Sequence, residues 1–405
     1  MGRTRHWYRV RRGLAAVAVA SLGTAGLVTL PVASATATSC APTPSILTRA
    51  HTTVSLAGGA SLRVWDTGAS RTNPAGTIRL VVARIPSGRF TPQVRAASTL
   101  SGAATPAAQA AGLPGATVTV NGGYFNGGLG AIPVSDSIVG SVLRKGTPAT
   151  KHVLAAYQTG TGTALTMARA NLVGHVSSSR FGTTPVIGLN WQTVGGGGIT
   201  VFTSAWGRLA HPAGTVGVLV AGGAVVARVT GSALTRSVPS GRLLLTGTGA
   251  TATLLSRLRA GDRVAVSYAL RVVRDVDHVT LTHVVGVVGD GGTPLYGSQN
   301  LAGCDSRSEM RWPRTMVGFM PNGDVLVATA TAHIATPWVR GGVTSYQFTD
   351  LMKRLGATWA TPLDGDTSTT MMVRAAVGGR QVREDNAANA YQRAVPDALT
   401  FVAGP

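Results

Sequence analysis

Two aspartates in the last third of the chain, Asp364 and Asp366, are the carboxylates best placed for chemistry. They lie in a loop, residues 364–370, that holds one glycine and four hydroxyl side chains and follows a short apolar run. An aspartate in such a loop can serve as general acid or base, nucleophile or ligand for a hard cation. Catalysis by a carboxyl group often uses a second one in a different environment, for which Asp366, Asp290 and Glu309 are the candidates. The alternative is that these aspartates only form the turn, by bonding their own backbone.

Arg314 is the candidate for binding an anionic group. The planar guanidinium fork of an arginine can bind two oxygens of an anion at once, which a lysine cannot do. The alternative is a structural arginine in a salt bridge. Further hydroxyl contacts to a substrate are expected from Thr315, Ser368 and Thr369.

The segment Asn121, Gly122, Gly123, Tyr124 and Phe125 is the third candidate. Backbone N–H groups exposed at glycines can surround an anion, while Tyr124 offers a ring for stacking and Asn121 an amide for hydrogen bonds. The alternative is a tight turn with both rings in the core. We expect one ring in the core and the other at the site.

Predicted strands adjoin all three candidates. Strand 116–120 runs directly into the Asn-Gly-Gly segment, and strand 358–363 leads into Asp364. An Asn-Gly pair inside the apolar stretch 316–328 predicts a β-hairpin just after Arg314. Each candidate therefore lies in a loop next to a predicted strand, which is where binding and catalytic residues are often found.

The composition predicts an α+β fold of β-rich mixed sheets with a few flanking helices. The chain has 405 residues, 53 of them glycine, with 44% apolar, 13% charged and 5% aromatic residues. This composition excludes a mainly disordered chain and disfavours a coiled coil. Helices are predicted from Thr105 to Gly112, over 250–258 and along the apolar stripe from Phe348 to Leu355, which Gly356 ends.

The charge is strongly positive, at +21, and almost all of it comes from arginine, since the chain has only three lysines. Arginine-rich usage is compatible with phosphate-bearing polymers and with nucleic acid. No recognition helix or stacking platform for nucleic acid is visible, so a nucleic-acid partner is not expected. The stretch between Asp136 and Asp262 contains no acidic residue, which predicts a scaffold or substrate-shaping role for it.

The N-terminus predicts a signal peptide over residues 1–37. Five arginines precede an uncharged run, residues 13–32, and small residues that fit a cleavage site follow. Removal of this segment takes away those five arginines and no acid, which leaves +16 on the remaining domain, 38–405. A retained membrane anchor is the alternative. No further stretch is long and apolar enough to span a membrane, so we expect a secreted or cell-envelope protein.

Cys40 and Cys304 are the only cysteines. In an oxidising compartment an even pair most simply forms one disulfide. The alternative is that Cys40 is a lipid-modified first residue, although the residues before it lack the usual leucine.

The sequence resembles the phosphodiester glycosidase domain family. The resemblance is carried by Asn-Gly-Gly-Tyr-Phe at 121–125, Pro-Arg-Thr-Met-Val-Gly at 313–318 and Leu-Asp-Gly-Asp-Thr-Ser at 363–368, in the family's order, and it extends over residues 60–403. One departure is clear, since the family usually has Gly-Gly where this chain has Asp366 and Thr367. Glycine can adopt positive φ, and aspartate tolerates it better than threonine.

The resemblance implies a hydrolase that releases a sugar from a phosphodiester link, with bacterial relatives associated with exopolysaccharide. It implies a phosphate-containing glycan in the envelope or outside the cell as substrate. Catalytic roles then fall to Asp364, Asp366 and Arg314, with Arg314 as the phosphate ligand. Substrate contacts fall to residues 121–124, where Tyr124 is expected to stack on the sugar and Asn121 to bond its hydroxyl or acetamido groups. The loops after residues 120, 312 and 363 are expected to gather at one site. The resemblance names no certain cofactor, and a divalent metal at Asp364 and Asp366 is an open alternative. The rival hypothesis is a non-catalytic binder of anionic cell-wall polysaccharide.

Overall fold

The computed structural model describes residues 40–68, 77–128, 130–192, 194–195, 197–208, 215–230, 237–289, 291–304, 309–332, 341–375, 379–385 and 391–404. The predicted signal peptide, 1–37, and Asp290 lie outside these residues. By its internal contacts the chain divides into two units, Met1–Thr38 and Ser39–Pro405. Only the second unit is described below.

The described residues are mainly strands. In chain order the strands are β1 Thr52–Ser55, β2 Ser61–Asp66, β3 Arg79–Ile85, β4 Phe90–Ala96, β5 Ala116–Asn121, β6 Phe125–Asn126, β7 Ile132–Pro133, β8 Ser137–Val139, β9 Val142–Lys145, β10 Lys151–Thr159, β11 Gly162–Ser178, β12 Gly182–Leu189, β13 Ile199–Phe202, β14 Val216–Ala221, β15 Ala224–Val229, β16 Arg242–Gly247, β17 Ala265–Arg274, β18 Val284–Val288, β19 Leu295–Tyr296, β20 Gln299–Asn300, β21 Arg314–Phe319, β22 Val325–Thr331, β23 Trp359–Pro362, β24 Met371–Val373, β25 Val382–Arg383 and β26 Asp397–Ala403. The α-helices are α1 Pro106–Ala110, α2 Gly249–Ser256 and α3 Ser345–Arg354, and short 3-10 turns lie at Ser45–Thr48, Ala57–Gly59, Ser204–Trp206 and Asp366–Ser368. The β-rich α+β prediction is confirmed.

An antiparallel sheet of eight strands carries two of the site loops. Its order is β1-β2-β3-β22-β21-β23-β19-β20. Met316 of β21 pairs with Pro362 of β23. Because these neighbours are antiparallel, the start of β21 and the end of β23 lie at the same edge of the sheet. Arg314 and the Asp364 loop therefore leave the sheet side by side.

A second antiparallel sheet, in the order β25-β24-β5-β26-β4, carries the other site segments. Asn121, the last residue of β5, pairs with Ala398 at the start of β26. The main core lies between this sheet and the eight-stranded one, where Val120 and Leu399 belong to the same buried cluster as Val317 and Val327. This packing brings the site edges of the two sheets together.

Helix α3 covers the other face of the eight-stranded sheet. Phe348, Leu351 and Met352 are buried against strand residues such as Leu326, as the apolar stripe predicts. Thr344 and Gln347 form a capping box at its start, which satisfies two backbone N–H groups that a helix end leaves free. Gly356 follows the helix with φ 100°, a conformation that glycine adopts without strain.

The acid-free middle of the chain forms most of a third, larger sheet. Its strands run in the order β15-β14-β16-β13-β12-β11-β10-β18-β8-β9, with β17 paired to β11. Among these pairs β12 and β13 are parallel, and the others are antiparallel. Separate apolar clusters fill its faces. Strand β9 of this sheet supplies two cations to the site, Arg144 and Lys145.

A disulfide joins Cys40 to Cys304, which confirms the predicted pairing. It ties the start of the described chain to the loop that follows β20. No helix among the described residues is long and apolar enough to cross a membrane.

Candidate active site

Asn121 joins the segments that the sequence singles out. Its Oδ1 accepts hydrogen bonds from the Thr315 hydroxyl (2.7 Å) and the Thr370 N–H (3.2 Å). Its Nδ2 donates to the carbonyl oxygens of Asp364 (2.7 Å) and Gly122 (3.3 Å). The side chain is fully buried, so these bonds use its hydrogen-bonding capacity inside the protein. Asn121 positions the loops and does not offer the free amide expected for a sugar contact.

Asp364 lies at the centre of these loops and is partly buried. Its N–H donates to the Gly122 carbonyl at 3.0 Å, and its Oδ1 accepts the Gly365 N–H at 3.0 Å. Burial raises the pKa of Asp364 to about 6, while hydrogen bonds from Ser368 and Gly365 and the charge of Arg393 act in the opposite direction. A carboxyl group with a pKa near neutrality can donate or accept a proton at working pH.

Asp397 is the second carboxylate, and the sequence analysis missed it. Its side chain is only 2% exposed, and its Oδ1 accepts the Gly123 N–H at 3.0 Å. Burial raises the pKa of Asp397 to about 7, and the charge of Asp364 adds to the rise, whereas the Gly123 N–H and the cations of Arg144 and Lys145 oppose it. The two acids interact through space, but Asp397 is enclosed by protein.

Gly122 and Gly123 are glycines because protein groups fill the space of a side chain. A Cβ on Gly122 would overlap the Asp397 carboxylate, and one on Gly123 would lie 2.6 Å from the Gly289 carbonyl oxygen. The Gly122 peptide also links the two acids, since its N–H donates to the Asp397 carbonyl (2.9 Å) and its carbonyl accepts from Asp364. The Gly123 N–H donates to the Asp397 side chain and is not available to a ligand. This segment therefore holds the acids in place, and the predicted cradle of free backbone N–H groups is not formed by Gly122 and Gly123.

Two buried cations from β9 lie behind Asp397. Arg144 is 7% exposed, and its Nη2 has no hydrogen-bond partner within the described part of the chain. Burial lowers the pKa of Arg144, and the charge of Asp397 opposes that shift. Lys145 donates to the carbonyl oxygens of Val134 and Ser135, both at 3.0 Å. These cations compensate the charge that ionised Asp397 would bury.

Arg314 lines a cavity of about 210 Å³ whose walls include Leu363 and Gly365 but not Asp364 itself. Its Nε donates to the Val343 carbonyl at 2.8 Å and its Nη2 to the Met310 carbonyl at 2.9 Å. These bonds fix the guanidinium, while Nη1 has no hydrogen-bond partner among the described residues. Burial lowers the pKa of Arg314, but an arginine stays charged in proteins. The remaining donors suit an anion in the cavity.

The cavity also contacts residues on both sides of Asp364. Its walls include Tyr124, Thr315, Leu363 and Gly365. The Thr315 hydroxyl is already bonded to Asn121, so Thr315 contributes shape rather than a free donor. The loop that carries Cys304 forms another part of the wall, through residues 302–303.

Arg393 is a second arginine at the loop, and the sequence analysis did not single it out. Its Nη1 donates to Thr367 Oγ1 and to Ser368 Oγ, both at 3.2 Å. Its guanidinium lies over the Phe125 ring, 4.6 Å from the ring centre. Phe125 and Tyr124 are both half-buried, so the expectation of one core ring is wrong: each ring adjoins a different arginine.

The Asp366 and Thr367 departure fits the loop geometry. Asp366 has φ 55°, so it takes the left-handed conformation that aspartate tolerates, and its side chain is exposed. Its negative charge contributes to the raised pKa of Asp364. The Thr367 hydroxyl oxygen accepts a hydrogen bond from Arg393, which links this position of the loop to the arginine. Thr369 is buried, with no hydrogen-bond partner for its hydroxyl among the described residues, which removes it from the surface that a substrate can reach.

Among the described residues no third His, Cys, Asp or Glu side chain joins Asp364 and Asp366 to complete a metal site. In that part of the chain, the group of three His, Cys, Asp or Glu side chains close enough for one ion is Cys40, Cys304 and Glu309. Its two sulfurs are joined in the disulfide. Glu309 therefore lies by the disulfide and is not the partner of Asp364.

Comparison with known proteins agrees with the expected family. A model of the phosphodiester glycosidase family matches residues 214–402. The matched span includes Arg314, Asp364, Arg393 and Asp397, and the segment 121–125 precedes it. The family resemblance is confirmed over that span. No curated protein matches the sequence.

The fold is similar to solved structures from other organisms. A hypothetical protein from Synechocystis matches with a TM-score of 0.66 and 18% identity, over 88% of this chain and 64% of its own. A protein from Burkholderia pseudomallei K96243 matches with a TM-score of 0.64 and 21% identity, over 82% and 76%. The catalytic domain of zebrafish N-acetylglucosamine-1-phosphodiester alpha-N-acetylglucosaminidase matches with a TM-score of 0.43 and 11% identity, over 88% and 89%. At such identities the first two similarities concern the fold, and the chain spans less than two thirds of the Synechocystis protein.

Proposed function

We propose that this protein is a secreted or envelope hydrolase that cleaves a sugar from a phosphodiester in a glycan. The observation that carries the proposal is that Leu363 and Gly365, on either side of Asp364 in the chain, line the cavity that holds the fixed guanidinium of Arg314. The Asp364 carboxyl group itself has a raised pKa. One group can transfer a proton and the other can bind an anion. The family match supports a glycosidase-type reaction.

Arg314 binds the phosphate in this mechanism. Its bonds to the Val343 and Met310 carbonyls leave N–H donors for phosphate oxygens at a preset angle, and a charged, pre-oriented donor binds an anion strongly. Tyr124, on the wall of the same cavity, contacts the sugar. The cavity of about 210 Å³ is small and suits a single sugar unit or the phosphate rather than a long glycan.

Asp364 acts as the base in this mechanism. A phosphate monoester has its second pKa near 6, so it leaves as an anion without a strong proton donor. Activation of water is then the harder task, and the ionised carboxylate performs it. Ser368 and the Gly365 N–H hold the carboxylate in place.

Asp397 is a positioning residue, because it is enclosed and cannot touch the substrate. Its bonds to Gly122 and Gly123 fix the peptide against which Asp364 is bonded. The predicted catalytic role of Asp366 is a second proposal. Its side chain is exposed, and it acts on Asp364 through its negative charge.

The test is release of free sugar from a panel of sugar 1-phosphodiesters, with the wild type and Asp364→Asn. Asparagine is nearly isosteric and can still accept the Gly365 N–H, but it carries no charge. We expect turnover to fall by roughly two or more orders of magnitude, the usual scale for losing a positioned base, with melting temperature little changed. Asp262→Asn, on an exposed salt bridge to Arg180, is the control and should keep full turnover.

The rival function, a binder of anionic wall polysaccharide, has its own outcome in this experiment. It is supported if the wild type releases no sugar across the panel while wild type and Asp364→Asn bind a phosphate-bearing glycan equally well. Such a result would refute the hydrolase proposal.

A further inference from the structure

Arg393 provides a second cationic position beside Asp364, separate from the cavity of Arg314. Neither Arg393 nor the Phe125 ring beneath it belongs to the cavity walls, which contain Tyr124 instead. The two arginines thus adjoin consecutive residues of one segment, Arg314 beside Tyr124 and Arg393 over Phe125. Arg393 also bonds the loop that carries Asp364, and its charge acts on the Asp364 carboxylate, so a glycan that reaches Asp364 also comes close to Arg393.

The surroundings of Arg393 hold its guanidinium ready for an anion. Nη1 is anchored by the hydroxyls of Thr367 and Ser368, and the ring of Phe125 supports the guanidinium plane. Such stacking and anchoring reduce the conformational entropy lost on binding. Within the described residues no carboxylate forms a salt bridge with Arg393, and its Nε and Nη2 have no hydrogen-bond partner. The donors of one guanidinium edge are therefore left for a ligand.

The Thr367 departure from the family pattern contributes to this position. A glycine there would have no hydroxyl to accept from Arg393, and Ser368 would be the remaining anchor. Asp366, at φ 55°, opens the 3-10 turn Asp366–Ser368 that contains both anchors. The altered loop thus orients an arginine as well as carrying Asp364.

We propose that Arg393 binds a second phosphate, so that the preferred substrate is a glycan with phosphates on successive units and not an isolated sugar phosphodiester. This inference rests on the proposed function and names the substrate class of the same site. Arg314 binds the phosphate of the bond that is cleaved, and Arg393 binds the phosphate of the next unit. A planar guanidinium suits this role because it can bind two phosphate oxygens at once.

The test uses two synthetic probes that share the same cleavable linkage. One is a sugar 1-phosphodiester with a neutral methyl group beyond the phosphate, and the other carries a sugar there with its own phosphodiester. We expect kcat/KM of the wild type to favour the second probe by roughly tenfold, the scale of one charge-assisted contact. Arg393→Ala should bring that preference to near one, and Thr367→Gly should lower it partly. Arg242→Ala removes an exposed arginine elsewhere and should keep the wild-type preference.

The preference between probes, not the rate on either, is the readout, because Arg393 also contacts the loop of Asp364. An Arg393→Ala variant that loses the same factor on both probes would overturn the inference and assign Arg393 to the cleaved phosphate or to the loop. A wild type without preference would also overturn it. Arg393→Lys keeps the charge and should retain part of the preference, which protects the test if the alanine variant folds poorly.

Calorimetric binding of the same two probes separates this inference from the proposed function. If neither probe is hydrolysed but the second binds more tightly, and Arg393→Ala abolishes that difference, the hydrolase proposal fails and the second phosphate site stands. If both probes are hydrolysed at equal efficiency and bind equally, the second phosphate site fails and the hydrolase proposal stands.

Discussion

The stability of an Asp397→Asn variant relative to the wild type should rise as the pH rises. Asp397 is 2% exposed and its pKa is raised to about 7 from 3.8. The folded state therefore binds the proton more tightly than the unfolded state. The stabilisation from this proton is fully present below the unfolded pKa and is lost as pH rises through about 7. Asparagine has no proton to lose, and its amide oxygen can still accept the Gly123 N–H.

The pKa shift of roughly three units sets the size of the effect. At about 1.4 kcal/mol per unit, ionised Asp397 costs about 4 kcal/mol well above neutral pH. Between about pH 4.5 and about pH 8 the stability of Asp397→Asn relative to the wild type should grow by roughly 3 kcal/mol. With an unfolding entropy of about 2 cal/mol/K per residue over roughly 370 residues, that growth corresponds to roughly 4 °C in Tm.

The assay is thermal unfolding of wild type and Asp397→Asn across this pH range, by calorimetry or dye fluorescence. Asp277→Asn is the control. A hydrogen bond with Arg274 lowers the pKa of that exposed aspartate, so its titration should change Tm only at acid pH, below this range. A Tm difference between wild type and Asp397→Asn that stays constant over the range would refute the argument that Asp397 is buried with a raised pKa.

Three further results are expected. Arg314→Lys should lower kcat/KM on a sugar phosphodiester by roughly tenfold or more with folding intact, because lysine cannot keep the anchored planar fork; unchanged turnover would remove Arg314 from the site. Gly122→Ala should cost roughly 1–3 kcal/mol of unfolding free energy through overlap with the Asp397 carboxylate, and a wild-type denaturation midpoint would contradict that packing. Alkylation mass spectrometry should find no free thiol before reduction, and reduction of Cys40–Cys304 should weaken substrate binding because the adjacent loop forms the cavity wall; free thiols in the native protein would contradict the pairing.

The sequence predicted the strands that position the site better than it predicted the roles of the site residues. Alternating and apolar runs, an Asn-Gly turn and helix caps depend on local chemistry, so β5, β21, β22 and α3 could be anticipated. The disulfide followed from having two cysteines. The meeting of the three loops was an expectation from motif order, and the two-sheet packing provides its physical reason.

Several roles could not be predicted because they depend on burial and contacts across the sheets. Asn121 has an amide suited to sugar binding, yet four internal bonds consume it. Asp397 is the first residue of an apolar strand, and Asp364 closely follows one. An aspartate at or near the end of a buried strand was therefore the signal by which Asp397 could have been found. Arg144 and Arg393 have no recognisable motif around them. Arg144 is more than 100 positions from Asp397 in the chain, and the partners of Arg393 lie in a loop that closes only in the fold.

The central claim is that Asp364, with its pKa raised to about 6, acts as the ionised base of the hydrolysis. The most direct measurement is the pH dependence of kcat/KM for a sugar 1-phosphodiester with a neutral group beyond the phosphate. We expect kcat/KM to rise with pH through an apparent pKa of about 6 and then level off, and Asp364→Asn to lose this step together with its activity. A rate that falls as pH rises through about 6, or one that is independent of pH there, would contradict this role of Asp364.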